Sequence, residues 1–227
     1  MILPVGDLNK TRTVAIINWL LIAANCAIFA AYYFRPERAE SVFINYAMVP
    51  DQWTWKTILT SMFLHGDPAH LLGNMLFLYI AGDNVEDRLG HLSYLIFYLA
   101  AGIAGGMTHV VYATQFGSGA GIPTVGASGA ISGVMGAYLI FFPKSQIRFI
   151  LWLLIFVRTF TLPSWGVIGF WIISQVMMAR SQWHGTAEKE AAMVAVFAHL
   201  GGFAFGAIVG IFARMSGKPP KRGRDSD

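Results

Sequence analysis

Residues 191–213 read AAMVAVFAHLGGFAFGAIVGIFA, twenty-three residues without a formal charge. As a helix rising about 1.5 Å per residue, such a run crosses the roughly 30 Å of a bilayer's hydrocarbon core. Two features mark it as more than a greasy span. His199 stands in its middle, and Gly202, Gly206 and Gly210 recur at four-residue spacing, on one helical face that lets another helix approach closely. The rest of the chain agrees with a lipid setting. Of its 227 residues 56% are hydrophobic and only 12% charged, where a soluble chain carries about a quarter charged residues. The mean hydropathy is +0.55. This composition excludes a disordered chain, a nucleic-acid binder and a small disulfide scaffold. The formal charge of +4 comes largely from Arg214, Lys218, Lys221, Arg222 and Arg224, where membrane proteins keep basic residues for orientation. Cys26 is the only cysteine, so no intrachain disulfide is expected.

Counting apolar runs outward from this segment gives six spans. The first covers residues 14–34 and ends in the aromatic anchor Tyr32, Tyr33 and Phe34. It lacks a small-residue cleavage site near its end and is read as a spanning helix. The second starts near Pro68 and continues AHLLGNMLFLYIAG, with Asp67 as N-cap and Pro68 in the first turn. The third covers 94–113. A Gly-rich loop, QFGSGAGIPTVG, leads to a short fourth at 127–142, and 191–213 is the sixth. The intervening stretch 146–178 is too short for two crossings and Arg158 interrupts it, so 147–157 is read along the interface and 162–178 as the fifth span. The expected fold class is all-α, a polytopic six-transmembrane-helix bundle. Residues 1–13 form an N-terminal tail, 14–213 the membrane domain and 214–227 a basic tail. An even span count puts both termini on one side. Eleven Lys and Arg fall on that side against five on the other, which makes both termini cytoplasmic in a multi-pass protein of the cell (inner) membrane.

Polar groups inside such spans are costly and mark function. Three clusters stand out: Gly126-Ala127-Ser128-Gly129 at the start of span four, Ala198-His199 in span six, and His65, His70, Gly73 and Asn74 around the start of span two. Ser128 lies 14 residues before Phe142 and His199 14 residues before Ala213. Both therefore sit roughly 21 Å above the inner boundary and can meet. A serine hydroxyl becomes a nucleophile when a neighbouring base removes its proton, and neutral histidine is the usual base. Blander alternatives stay open: a membrane serine often back-bonds to its own helix, and spaced glycines often serve packing alone.

In order and placement, Gly126-Ala-Ser128-Gly129, Ala198-His199-x-x-Gly202-x-x-x-Gly206-x-x-x-Gly210 and His65-x-x-x-x-His70-x-x-Gly73-Asn74-Met75 resemble the signature of the rhomboid intramembrane serine proteases. The resemblance implies a Ser128 nucleophile, His199 as general base and later general acid, and His70 and Asn74 as oxyanion donors beside the Ser128 amide, with Gly126 and Ser132 in support. It also implies that Glu86, Asp87, Arg88 and Gly90 match a structural cluster of the family. The expected function is endoproteolysis of transmembrane protein substrates within the lipid bilayer, at small residues with helix-weakening residues below. No cofactor, metal or nucleic acid is expected. Without an Asp or Glu in spans four and six, a dyad is expected in place of a triad. The family commonly stacks an aromatic residue, four positions after the serine, on the histidine ring; this chain has Ser132 there, whose hydroxyl is expected to reach towards His199. The rival reading is a non-catalytic rhomboid-like factor that binds membrane proteins, or a small transporter.

Overall fold

The computed structural model describes residues 1–117, 119–153, 156–186 and 194–216. Most of the basic tail, Lys189 and the first three residues of the run at 191–213 lie outside them. The elements follow in the order β1 (Ile2–Asp7), α1 (Ile16–Tyr33), α2 (Pro36–Tyr46), a short 3-10 turn, α3 (Trp55–Ser61), α4 (Pro68–Leu89), α5 (His91–Gln115), α6 (Ser128–Phe141), β2 (Gln146–Leu153), β3 (Phe156–Pro163), α7 (Ser164–Trp183) and α8 (Val196–Met215). Three of the helices, α1, α5 and α8, are long and apolar enough to cross a membrane. The others that matched sequence runs fall short for visible reasons: α4 carries Asp83, Glu86, Asp87 and Arg88 in its last turns, α6 has 14 residues, and α7 carries Ser174, Gln175 and Arg180.

Helix α6 is the centre. Every residue from Gly129 to Tyr138 is buried, so this helix is enclosed by protein on all sides. Its most extensive partner is α8, with α5 and α4 on other faces. Glycines make the approach possible: a Cβ on Gly206 would stand 1.9 Å from the Gly133 carbonyl oxygen, and one on Gly136 would stand 2.4 Å from that of Phe203.

The neighbouring helices are fixed at their ends. Asp67 caps α4 by accepting from the His70 amide at 2.9 Å, with Pro68 in the first turn. Gly90, at φ +86°, ends α4 in a conformation that glycine favours and turns the chain directly into α5. The start of α1 lacks a side-chain cap of its own. Glu86 supplies one from α4, accepting from the amides of Ile17 and Asn18 at 3.0 and 2.7 Å, while Asp87 accepts from those of Arg12 and Thr13. Carboxylates at a helix N-terminus satisfy its free N–H groups and its dipole, which accounts for these acids at the end of α4. At the other end of α1, the Tyr32 hydroxyl donates to the His65 carbonyl and accepts from the His65 amide.

Two sequence expectations are corrected here. The fold is not all-α: β1, β2 and β3 form an antiparallel three-stranded sheet. Residues 2–7, read as part of a tail, are the first strand, and of the stretch 147–157 residues 147–153 lie in β2 and residues 156–157 in β3. The cause is a period of two in QIRFILWL. Ile147 and Phe149 are buried against Ile80 of α4, while Arg148 between them is exposed.

Candidate active site

Ser128 is the first residue of α6, so its amide and those of Gly129 and Ala130 have no partner one turn earlier within the helix. The Gly-rich loop brings the chain to that point through Gly126, whose amide donates to the Ser61 carbonyl at 2.9 Å and whose φ is +130°. A Cβ here would lie 2.8 Å from Nε2 of His70, so glycine also makes room for the imidazole.

His199 enters from α8. Its Nε2 lies 2.8 Å from the Ser128 hydroxyl oxygen, and its Nδ1 lies 2.7 Å from Oε1 of Gln175 on α7. His70 and Asn74, one turn apart on α4, line the same cleft of about 510 Å³, together with Trp171 of α7. Asn74 is 7% exposed, and its Nδ2 is buried without a hydrogen-bond partner among the described residues. A buried donor left unpaired is costly, so an acceptor brought to this amide would be held favourably, and Asn74 is part of the cleft's lining.

Of the six residues singled out from sequence, Ser128 and His199 are in direct contact, His70, Asn74 and Ser132 line the same cleft, and Gly126 lies close to the His70 ring. The Ser132 side chain does not reach towards His199 as expected. Its hydroxyl donates to the Ser128 carbonyl at 2.6 Å, the local back-bond that competes for a mid-helix serine, and leaves His199 untouched. The ring near His199 comes instead from Trp171, with centroids 6.0 Å apart and planes tilted by 42°. Gln175 and Trp171 are neighbours of His199 that no motif in the sequence marks. A glutamine in an apolar stretch was the available signal, but no spacing rule links it to a histidine 24 positions on.

Chemically, the arrangement offers a hydroxyl bonded to an imidazole, backbone amides at a helix N-terminus, and a free amide donor from a neighbouring helix. Among the described residues no group of three or more His, Cys, Asp or Glu is placed to hold a metal ion.

Comparison with known proteins gives a match to the family model described as Rhomboid domain over residues 52–216. The chain is 41% identical over 88 residues to the rhomboid protease GluP of Bacillus subtilis, a match covering 39% of this chain and 16% of that protein. It is 31% identical over 156 residues to the mitochondrial Rhomboid protein 1 of Saccharomyces cerevisiae, covering 68% and 40%, and 34% identical over 86 residues to the putative rhomboid protease YdcA of Bacillus subtilis, covering 37% and 40%. The matches thus span less than half the length of these relatives.

Proposed function

The chain belongs to the rhomboid family, and we propose that it is an intramembrane serine endopeptidase that cleaves transmembrane segments of other membrane proteins with a Ser128–His199 dyad. The observation that carries this reading is the 2.8 Å contact between the Ser128 hydroxyl and His199 Nε2. Ser128 Oγ attacks the scissile carbonyl carbon while its proton passes to Nε2. The carbonyl oxygen, now negative, accepts hydrogen bonds from the Ser128 and Gly129 amides and from Asn74 Nδ2, with His70 beside them. The intermediate collapses as His199 returns the proton to the departing amine, leaving an acyl ester on Ser128. Water, activated by the same imidazole, then hydrolyses the ester.

The fold suits this work. A helix of 14 residues is about 21 Å long, short of the roughly 30 Å of hydrocarbon. Six crossings, with α4, α6 and α7 spanning beside α1, α5 and α8, therefore set Ser128 below the outer boundary, where a polar-lined cleft admits the water that hydrolysis consumes. In this arrangement both termini face the cytoplasm of a cell membrane. A cysteine at Thr186, in a Cys26→Ser background, then reacts with an impermeant reagent from outside, and one at Ser145 does not.

The test is cleavage of a single-span model substrate by the purified protein in liposomes. Wild type is expected to cut it, with Ser128→Ala and His199→Ala inactive although folded. Retained cleavage by Ser128→Ala ends this reading, and an inert wild type beside intact folding favours a binding role.

A further inference from the structure

The geometry points to Gln175 of α7 as a positioning residue that holds His199 in the tautomer able to accept the serine proton, an inference that rests on the dyad proposed above. Oε1 of Gln175 lies 2.7 Å from His199 Nδ1, and a side-chain amide oxygen has no proton to give. The contact is a hydrogen bond only when Nδ1 carries the hydrogen, and the neutral imidazole then has its lone pair on Nε2, facing the Ser128 hydroxyl at 2.8 Å. In the other tautomer two lone pairs would face each other across 2.7 Å and an N–H would face the hydroxyl, where it cannot take up a proton.

The amide's own orientation is set by a neighbour. Ser174 donates its hydroxyl hydrogen to the Trp171 carbonyl at 2.6 Å, which leaves its oxygen as an acceptor, and Gln175 Nε2 lies 3.4 Å from that oxygen. The side chain is 7% exposed, so water competes weakly for the amide and the bond to His199 gains from the low local dielectric. Its worth increases during reaction, because the imidazolium formed when His199 takes the proton is a stronger donor to Oε1 than the neutral ring. One turn earlier on the same face of α7, Trp171 stands against the His199 ring. Helix α7 thus supplies what Ser132, bonded to its own helix, does not.

The experiment compares Gln175→Met, which keeps the length and loses the acceptor, with Gln175→Glu, which keeps the acceptor, using liposome cleavage, fluorophosphonate labelling and melting temperature. In a serine triad the wrong tautomer costs about 10⁴ in kcat; for an uncharged orienter we expect roughly 10- to 100-fold from Gln175→Met, with KM within about threefold and labelling slowed in parallel. Gln175→Glu should recover activity to within about fivefold. Its added negative charge should also move the acidic half-rise of the kcat/KM profile to higher pH. Gln175→Met within about threefold of wild type while folded, or Gln175→Glu as impaired as Gln175→Met, overturns the inference. Should Gln175→Met fail to fold, the Gln175→Glu profile decides alone, and an unmoved half-rise overturns it. Failure of the dyad is distinguishable, since Ser128→Ala then remains active; an inactive Ser128→Ala beside a fully active Gln175→Met removes Gln175 only.

Discussion

Gly202 of α8 rests against Gly129 of α6 so closely that a Cβ on Gly202 would stand 2.0 Å from the Gly129 carbonyl oxygen. One turn of α8 separates this contact from His199, and Gly129 follows Ser128. The distance between imidazole and hydroxyl is therefore set by backbone packing, which a side-chain rearrangement cannot restore.

Gly202→Ala and Gly206→Ala are accordingly expected to push α8 from α6. Overpacking of this kind costs about 1–3 kcal/mol, and the obstructing atoms here are backbone oxygens, which places both variants at the upper end. Melting temperature and activity should fall together. Gly169→Ala on α7, whose Cβ meets nothing within 4 Å, serves as the control and should melt no lower than wild type.

Asn74→Ala separates an oxyanion donor from a structural hydrogen bond. Among the described residues its Nδ2 has no partner to lose. Turnover should fall roughly 10²- to 10³-fold with little change in KM, and the melting temperature should stay close to wild type. A clear fall in melting temperature with kcat within a fewfold would assign Asn74 to structure alone.

Ser132→Ala removes a back-bond to the Ser128 carbonyl and nothing that touches His199. Such a bond contributes about 0.5–1.5 kcal/mol net, so a small change in stability and activity within about threefold of wild type is expected in a cleavage assay.

Three membrane-length helices, α1, α5 and α8, were legible where composition alone decides them. A long uncharged run such as residues 191–213 has few ways to exist in water, and glycines at four-residue spacing announce a close helix contact. That Ser128 and His199 meet was legible because equal offsets from the ends of two apolar runs bring residues of neighbouring helices to the same level. What stayed hidden depends on partners far away in sequence. Strand β1 pairs with β2, Ile2 opposite Leu151, and nothing local in ILPVGD states that pairing. The alternation in QIRFILWL was present but masked by the apolar residues on both of its faces. Ser132 was placed on the right face, but facing does not decide which acceptor a hydroxyl chooses when its own helix offers one. Gln175 needed the position of α7, which no spacing in the chain supplies.

Acid should weaken the fold through His65. This ring, in the loop before α4, is fully buried with neither nitrogen hydrogen-bonded among the described residues, and burial, followed by the neighbouring His70 imidazole, pushes its pKa down to about 4 from 6.5. Between these values the unfolded chain binds the proton more readily than the folded one. The stabilisation is fully present above about pH 6.5 and is lost as the pH falls towards about 4. Melting temperatures at pH 7.5 and pH 4.5, values chosen at roughly neutral and acidic sides of that window, should differ more in wild type than in His65→Gln. Parallel shifts in the two proteins would remove His65 as the cause.

The central claim is that the His199 imidazole activates the Ser128 hydroxyl. Its most direct measurement is covalent labelling by a fluorophosphonate in detergent, with the modified residue located by peptide mass spectrometry, because this reaction needs an activated serine and no protein substrate. The account predicts one label, on Ser128, abolished in Ser128→Ala and strongly reduced in folded His199→Ala. Labelling at another serine, or undiminished labelling of Ser128 in folded His199→Ala, would contradict it.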